Sequence, residues 1–191
     1  LASFSAVPYF GAAIFGAVAF FKNVTFKDYV YFRGQPERKA FGDQTQLSFQ
    51  PAHLEKPDRI SFHALDLKPN WFVNVDSRKF EFTDVAFNYD LIDELERLKK
   101  AEVSEPHRLL AIACRQLAVN AEEHQRYRQA ADFRYASMDA QRLEWLEDRK
   151  IMKFQFLHWL YWIASGYGER VTRAFFTLVV LWLWFAFSYM L

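Results

Sequence analysis

The sequence predicts a mixed fold in which a β-solenoid leads into an α-helical hairpin and then one C-terminal transmembrane helix. Three observations predict it. Phe recurs every five or six residues at 4, 10, 15, 20, 26 and 32. Residues 89–153 become highly charged, with 13 acidic and 12 basic side chains and apolar residues at helical spacing. The last 18 residues, from Ala174 to Leu191, carry no charge at all. These changes of pattern divide the chain into segments 1–88, 89–150, 151–168 and 169–191, each with a different period and so a different environment.

In the first segment a helix would place apolar residues three and four apart and a strand two apart, and a spacing of five fits neither. A fixed period of that kind marks a coil whose short sides each turn one residue inward. The residues expected inside are Phe4, Phe10, Phe15, Phe20, Phe26, Phe32, Phe49 and Phe62. Small or polar pairs such as Ala2-Ser3, Val18-Ala19 and Val24-Thr25 precede several of them, and Gly11-Ala12 and Gly16-Ala17 follow two. On these residues the segment resembles the pentapeptide-repeat family. The resemblance implies a right-handed quadrilateral β-helix with about four units per coil. Beyond Gly34 the register loosens. Leu47-Ser48-Phe49, Ala52-His53-Leu54, Ile60-Ser61-Phe62 and Leu65-Asp66-Leu67 still read as units. Around Trp71-Phe72-Val73, Lys79-Phe80-Glu81-Phe82 and Asp84-Val85-Ala86-Phe87 the pattern predicts longer strands.

The second segment reads as helices. Leu91, Ile92, Leu95 and Leu98 share a helical face, with acids early and bases late as the helix dipole prefers. Ser104 followed by Glu105-Pro106 predicts a helix start, continued by Leu109, Leu110, Ala113, Leu117 and Ala121. A second stripe follows at Ala130, Phe133, Ala136 or Ser137, and Ala140, with a polar turn over residues 122–128. The pattern from Leu117 to Tyr135 is similar to one tetratricopeptide unit, without its turn Gly. A plain helical hairpin covering the end of the coil explains the same residues.

Residues 174–191 are apolar for nearly the length that crosses a hydrocarbon core of about 30 Å. Phe175, Phe176, Leu181, Trp182, Trp184 and Phe187 are the predicted lipid-facing residues. The aromatic stretch before it places Trp159, Tyr161 and Trp162 at headgroup level, with Lys150, Lys153, Arg170 and Arg173 reaching phosphates. Arg170 and Arg173 precede the span, so the positive-inside tendency puts the N-terminal part on the cytoplasmic side. The chain opens on Leu1 and the span stops short of full width, as expected of a piece of a longer chain. Gly166-Tyr167-Gly168 is similar to the potassium-channel filter, but Ala164-Ser165 stands where that filter carries Thr-Val, and a flexible turn is the plainer reading. The run from Tyr127 to Arg173 resembles the C-terminal parts of membrane-anchored bacterial pentapeptide-repeat proteins, which implies a bacterial inner membrane. Some of that group continue into a two-helix cation-channel module.

Chemistry-bearing patterns are sparse. The five His are dispersed, without metal-ligand spacing. Cys114 lies in an apolar helical stretch and reads as a buried small residue. Neither a catalytic site, a metal site nor a cofactor is predicted. The net charge of +1 argues against a nucleic-acid partner. Residues 1–88 carry 10 basic and 9 acidic side chains, which also weakens mimicry of DNA, a role known for some pentapeptide-repeat proteins. The predicted partners are the lipid bilayer and a membrane protein of unknown identity, in a larger complex. The predicted function is that of a non-enzymatic membrane-tethered scaffold or accessory subunit. The alternative is a cytoplasmic regulatory domain of a two-helix cation channel whose pore lies beyond Leu191.

Overall fold

The structure, a computed structural model, describes residues 2–4, 8–11, 19–20, 24–26, 28–34, 47–48, 53–54, 57–148, 160–164 and 171–190. Eleven short strands come first: β1 (Ala2–Phe4), β2 (Tyr9–Gly11), β3 (Ala19–Phe20), β4 (Val24–Phe26), β5 (Val30–Arg33), β6 (Leu47–Ser48), β7 (His53–Leu54), β8 (Ile60–His63), β9 (Asp66–Leu67), β10 (Glu81–Thr83) and β11 (Ala86–Phe87). Helices α1 (Leu91–Lys100), α2 (Pro106–Glu123), α3 (Tyr127–Asp148) and α4 (Val171–Met190) follow, and residues 160–164 are also helical.

All the described strand pairs are parallel, and they form four separate sheets ordered β10-β8-β5-β2, β1-β4-β7, β11-β9 and β3-β6. Register in the largest sheet aligns Phe10 with Phe32, Phe32 with Phe62, and Phe62 with Phe82. Adjacent strands lie about 4.8 Å apart, so the aligned rings come to rest nearly face to face. Their centroids are 5.0, 5.0 and 5.4 Å apart, at interplanar angles of 9°, 8° and 19°. Along β5 and β8 the alternation sends Val30, Phe32, Ile60 and Phe62 into the core, while Tyr31 and Arg33 face solvent.

The corner after these strands is tight. Gly34 N donates to His63 O at 2.9 Å, and Ala64 N to Thr83 O at 3.0 Å, carrying the ladder past the strand ends. Ala64 and Asp84 turn with φ of 53° and 52°. At Gly34 a Cβ would lie 2.0 Å from the Ala64 carbonyl oxygen, so only glycine fits there.

The uniform quadrilateral β-helix predicted for residues 1–88 is not formed. Among the described residues there are short sheets of four, three, two and two strands within a mixed α/β fold, and no long β-helix. A regular coil needs equal lengths of chain between ladder partners, and here the excursion from Phe32 to Phe62 is longer than those on either side of it. The predicted strand at Trp71-Phe72-Val73 is also corrected. Pro69–Phe72 is a 3-10 turn, begun by a proline that has no N–H to give a ladder. It and the irregular loop to Phe80 deliver Phe72 and Phe80 into the core from outside any sheet. Of the eight Phe predicted to point inward, Phe32 and Phe62 are buried and Phe10 half-buried. Phe4, Phe20 and Phe26 lie in strands, with Phe4 aligned on Phe26 and Phe26 on Leu54, but their side chains are outside the description. Phe15 and Phe49 fall outside the described residues.

Helix α1 begins on Asp90, whose carboxylate accepts from Ile92 N at 2.8 Å. Helix α2 does not use Ser104 as its cap. Its N-cap is Glu105, at a φ of 51° and without a side-chain cap, and Pro106 occupies the first turn where no partner for an N–H is needed. Helices α2 and α3, joined by a turn at residues 124–126, pack along each other, and Ala111, Ala113, Ala136, Ser137 and Ala140 of these helices are buried. The Ser137 hydroxyl donates to Ala111 O at 2.9 Å across that seam. Leu117, Ala118 and Ala121 on α2 and Ala130 and Phe133 on α3 close the Phe-rich core. A second cluster joins Leu95 and Leu98 of α1 to Leu110, Ala113 and Cys114 of α2. Asn120 fixes this docking: its side-chain N–H groups reach Arg78 O at 2.9 Å and Phe80 O at 2.7 Å.

Two stability predictions follow from the stack and its corner. Phe62→Ala is expected to cost about 3–5 kcal/mol, and Phe10→Ala distinctly less, because Phe10 ends the described column half-buried. Urea denaturation of the two variants measures the difference. Gly34→Ala is expected to destabilise by more than ~1 kcal/mol, read as a lowered midpoint at unchanged slope.

Candidate functional site

Two regions stand out. The first is the C-terminal end. Thr172–Tyr189 is a helical stretch long and apolar enough to cross a membrane, and none of it is buried. The six residues predicted to face lipid, Phe175, Phe176, Leu181, Trp182, Trp184 and Phe187, are all more than half exposed and spread around the whole helix. A helix apolar on every side has no stable place in water.

The short helical segment at 160–164 links α4 to the helical hairpin. Trp162 lies at the joint: its indole N–H donates to the Tyr135 hydroxyl at 3.0 Å, and its ring lies 4.7 Å from the Arg142 guanidinium and 5.7 Å from that of Arg173. Thr177 Oγ1 donates to Ala164 O at 3.0 Å. Arg142 is paired with Asp139 at 2.7 Å. Of the residues predicted at headgroup level, the structure therefore brings Trp162 and Arg173 together, with Tyr161 exposed beside them. Lys150, Lys153, Trp159 and Arg170 lie outside the described residues.

The second region is a groove of about 840 Å³ at the start of α3. Phe87, Tyr89 and Phe133 provide its aromatic wall. Tyr89 is stacked on Phe133 at 6.2 Å, and Phe87 meets Phe133 edge-on at 5.0 Å. Burial pushes the Tyr89 phenol well above its ordinary range. Along the rim lie Arg126, Arg128, Asp132 and Asp139. Arg126 is half-buried, with one terminal nitrogen, Nη2, donating to Asn120 Oδ1 at 2.8 Å. Its Nε is buried with no hydrogen-bond partner, and desolvation lowers its pKa. Among the described residues no carboxylate pairs with Arg126. Sequence reading treats residues 122–128 only as a polar turn. The signal within it is an Arg six residues after an Asn that lies on the apolar face of α2.

Elsewhere, Cys114 is fully buried and its thiol is pushed up to about 12, chiefly by burial, so it is not a thiolate near neutral pH. His63 lies 3.7 Å from Asp84 and His107 3.7 Å from Glu147, while His124 Nδ1 contacts Asn120 O at 2.8 Å. The side chain of His53 and all of His158 are outside the description. Among the described residues no three His, Cys, Asp or Glu side chains are grouped so as to hold a metal ion.

No protein-family model, curated protein or solved structure matches this chain. The likeness of the first segment to pentapeptide repeats gains no support from them.

Glu94 provides a pH-dependent feature where α1 meets the 3-10 turn at residues 69–72. It is 1% exposed on α1, and its carboxylate accepts from Asn70 N at 3.0 Å. Burial outweighs that hydrogen bond and the nearby charges of Lys68 and Arg97, and holds the carboxyl up at about 7 instead of 4.5. Between these two values the folded chain keeps a proton that the unfolded chain has released, so stability falls as pH rises through this window and is flat above it. The loss is at most about 3 kcal/mol. Chemical denaturation at a series of pH values is expected to show this slope in the wild type and a flattened one in Glu94→Gln.

Proposed function

We propose that this chain is a membrane-tethered scaffold or accessory subunit that works by binding rather than catalysis. Helix α4 anchors a folded head in the bilayer, and the head serves a membrane-protein partner. The observation that carries the reading is α4 itself, apolar around its full circumference and unburied. Arg173 supports it from the near end of the span. With Trp162 it forms the cation and aromatic pair suited to the headgroup layer. By the same positive-inside argument the head lies on the cytoplasmic side.

Membranes containing the full chain, washed at alkaline pH with carbonate, are expected to retain it. Recovery of the wild type in the supernatant overturns the anchor. Leu181→Arg places a charge near the middle of the span at a cost of about 2.5–3.5 kcal/mol and is expected to release a substantial fraction of the chain. For orientation, a cysteine introduced by Glu102→Cys on the exposed turn after α1 is expected to resist a membrane-impermeant maleimide in intact cells and to react after lysis. Labelling in intact cells reverses the assigned side.

A further inference from the structure

The groove at the start of α3 has a charge imbalance that membrane anchoring does not use. We propose that it binds a carboxylate carried on an apolar stem, with Arg126 as the anion's partner. A guanidinium that has lost water on one side is stabilised by a bound anion, and Arg126 has the neutral Asn120 amide oxygen at Nη2 and the Phe82 ring 5.9 Å away, but no anion among the described residues. The remaining terminal nitrogen, Nη1, has no hydrogen-bond partner among the described residues and, unlike Nε, is not fully buried. Asp139 on the same rim is already neutralised by Arg142. Arg128 and Asp132 offset one another in charge, so with Asp139 balanced by Arg142, which lies outside the lining, Arg126 is the positive charge left over. A single carboxylate matches that excess, whereas a phosphate dianion would add a second negative charge beside two aspartates. The wall of Phe87, Tyr89 and Phe133 fits an aromatic or aliphatic stem next to the carboxylate, and a volume of about 840 Å³ holds a group of that size with room for more chain. The same chemistry comes from a free organic acid or from the last residue of a peptide.

Calorimetric titration of the full chain in a neutral maltoside detergent separates these sources. The probes are N-acetyl-phenylalanine, its carboxamide, and a tetrapeptide ending in Phe with a free carboxylate. The free acids are expected to bind about tenfold or more tightly than the carboxamide, since a charge-assisted hydrogen bond is at stake. A tetrapeptide that binds well above N-acetyl-phenylalanine supports the proposal with a peptide end as the source. Equal binding of the two acids supports it with a small acid. Arg126→Gln is expected to abolish the preference for acid over amide while the aromatic stem still binds. The acid and amide comparison on the wild type stands even where that variant folds poorly. Equal affinity of acid and amide, or no saturable binding of either acid at about 10 mM, overturns the proposal.

Discussion

The column Phe10–Phe32–Phe62–Phe82 is the constraint on which the rest of the described fold depends. Parallel strands in register repeat the same residue type at the strand spacing, and rings at that spacing pack face to face. Such a column has ends, and an uncovered terminal ring leaves apolar area in water. At the Phe82 end the cover is irregular. Phe72 and Phe87 meet Phe82 edge-on, and Phe133 from α3 meets Phe87 the same way. The helical hairpin therefore completes the core of the sheets, through Leu117, Ala118, Ala121, Ala130 and Phe133, while Leu110, Ala113, Cys114 and Ala136 join α1 in a second cluster.

Closing a sheet end with helices exposes loop carbonyls to an apolar surface, and Asn120 meets this need. One buried amide group accounts for the carbonyls of Arg78 and Phe80 and also receives the Arg126 guanidinium. The unpaired charge in the groove is thus a by-product of the docking geometry. Nη2 of Arg126 is held by Asn120 of α2, and its Nε is buried where no acceptor reaches. The structural clamp and the proposed anion site thus meet at the hydrogen bond between Asn120 and Arg126.

Beside the groove, whose lining includes Tyr135, Trp162 plays the corresponding part. Tyr135 and Arg142 of α3 hold it from one side and Arg173 of α4 from the other. The exposed helix α4 is thereby joined to the head by specific contacts as well as by the chain.

Local pattern alone determined the helices, because an amphipathic period is written within a few turns. The stripe at Ala130, Phe133, Ala136 and Ala140 is buried as its spacing requires, and the uncharged run after Arg173 needs only length and apolarity to be read. The inward role of Phe32 and Phe62 was likewise legible from their neighbours. The path between the strands was not. A five-residue spacing in the first 32 residues invites extrapolation to a uniform coil, but loop length and the prolines at 57 and 69 decide where the chain leaves the ladder, and Pro69 turned an expected strand into a 3-10 turn. The groove was equally hidden. Phe87 of β11, Tyr89 of the loop after it, Arg126 of the turn before α3 and Phe133 of α3 are far apart in sequence, and only docking of the hairpin on the sheet end brings them together. Sequence sets each segment's own preference through periodicity and hydrophobicity. Which residues share a surface depends on long-range packing, and that was decided by the tertiary structure alone.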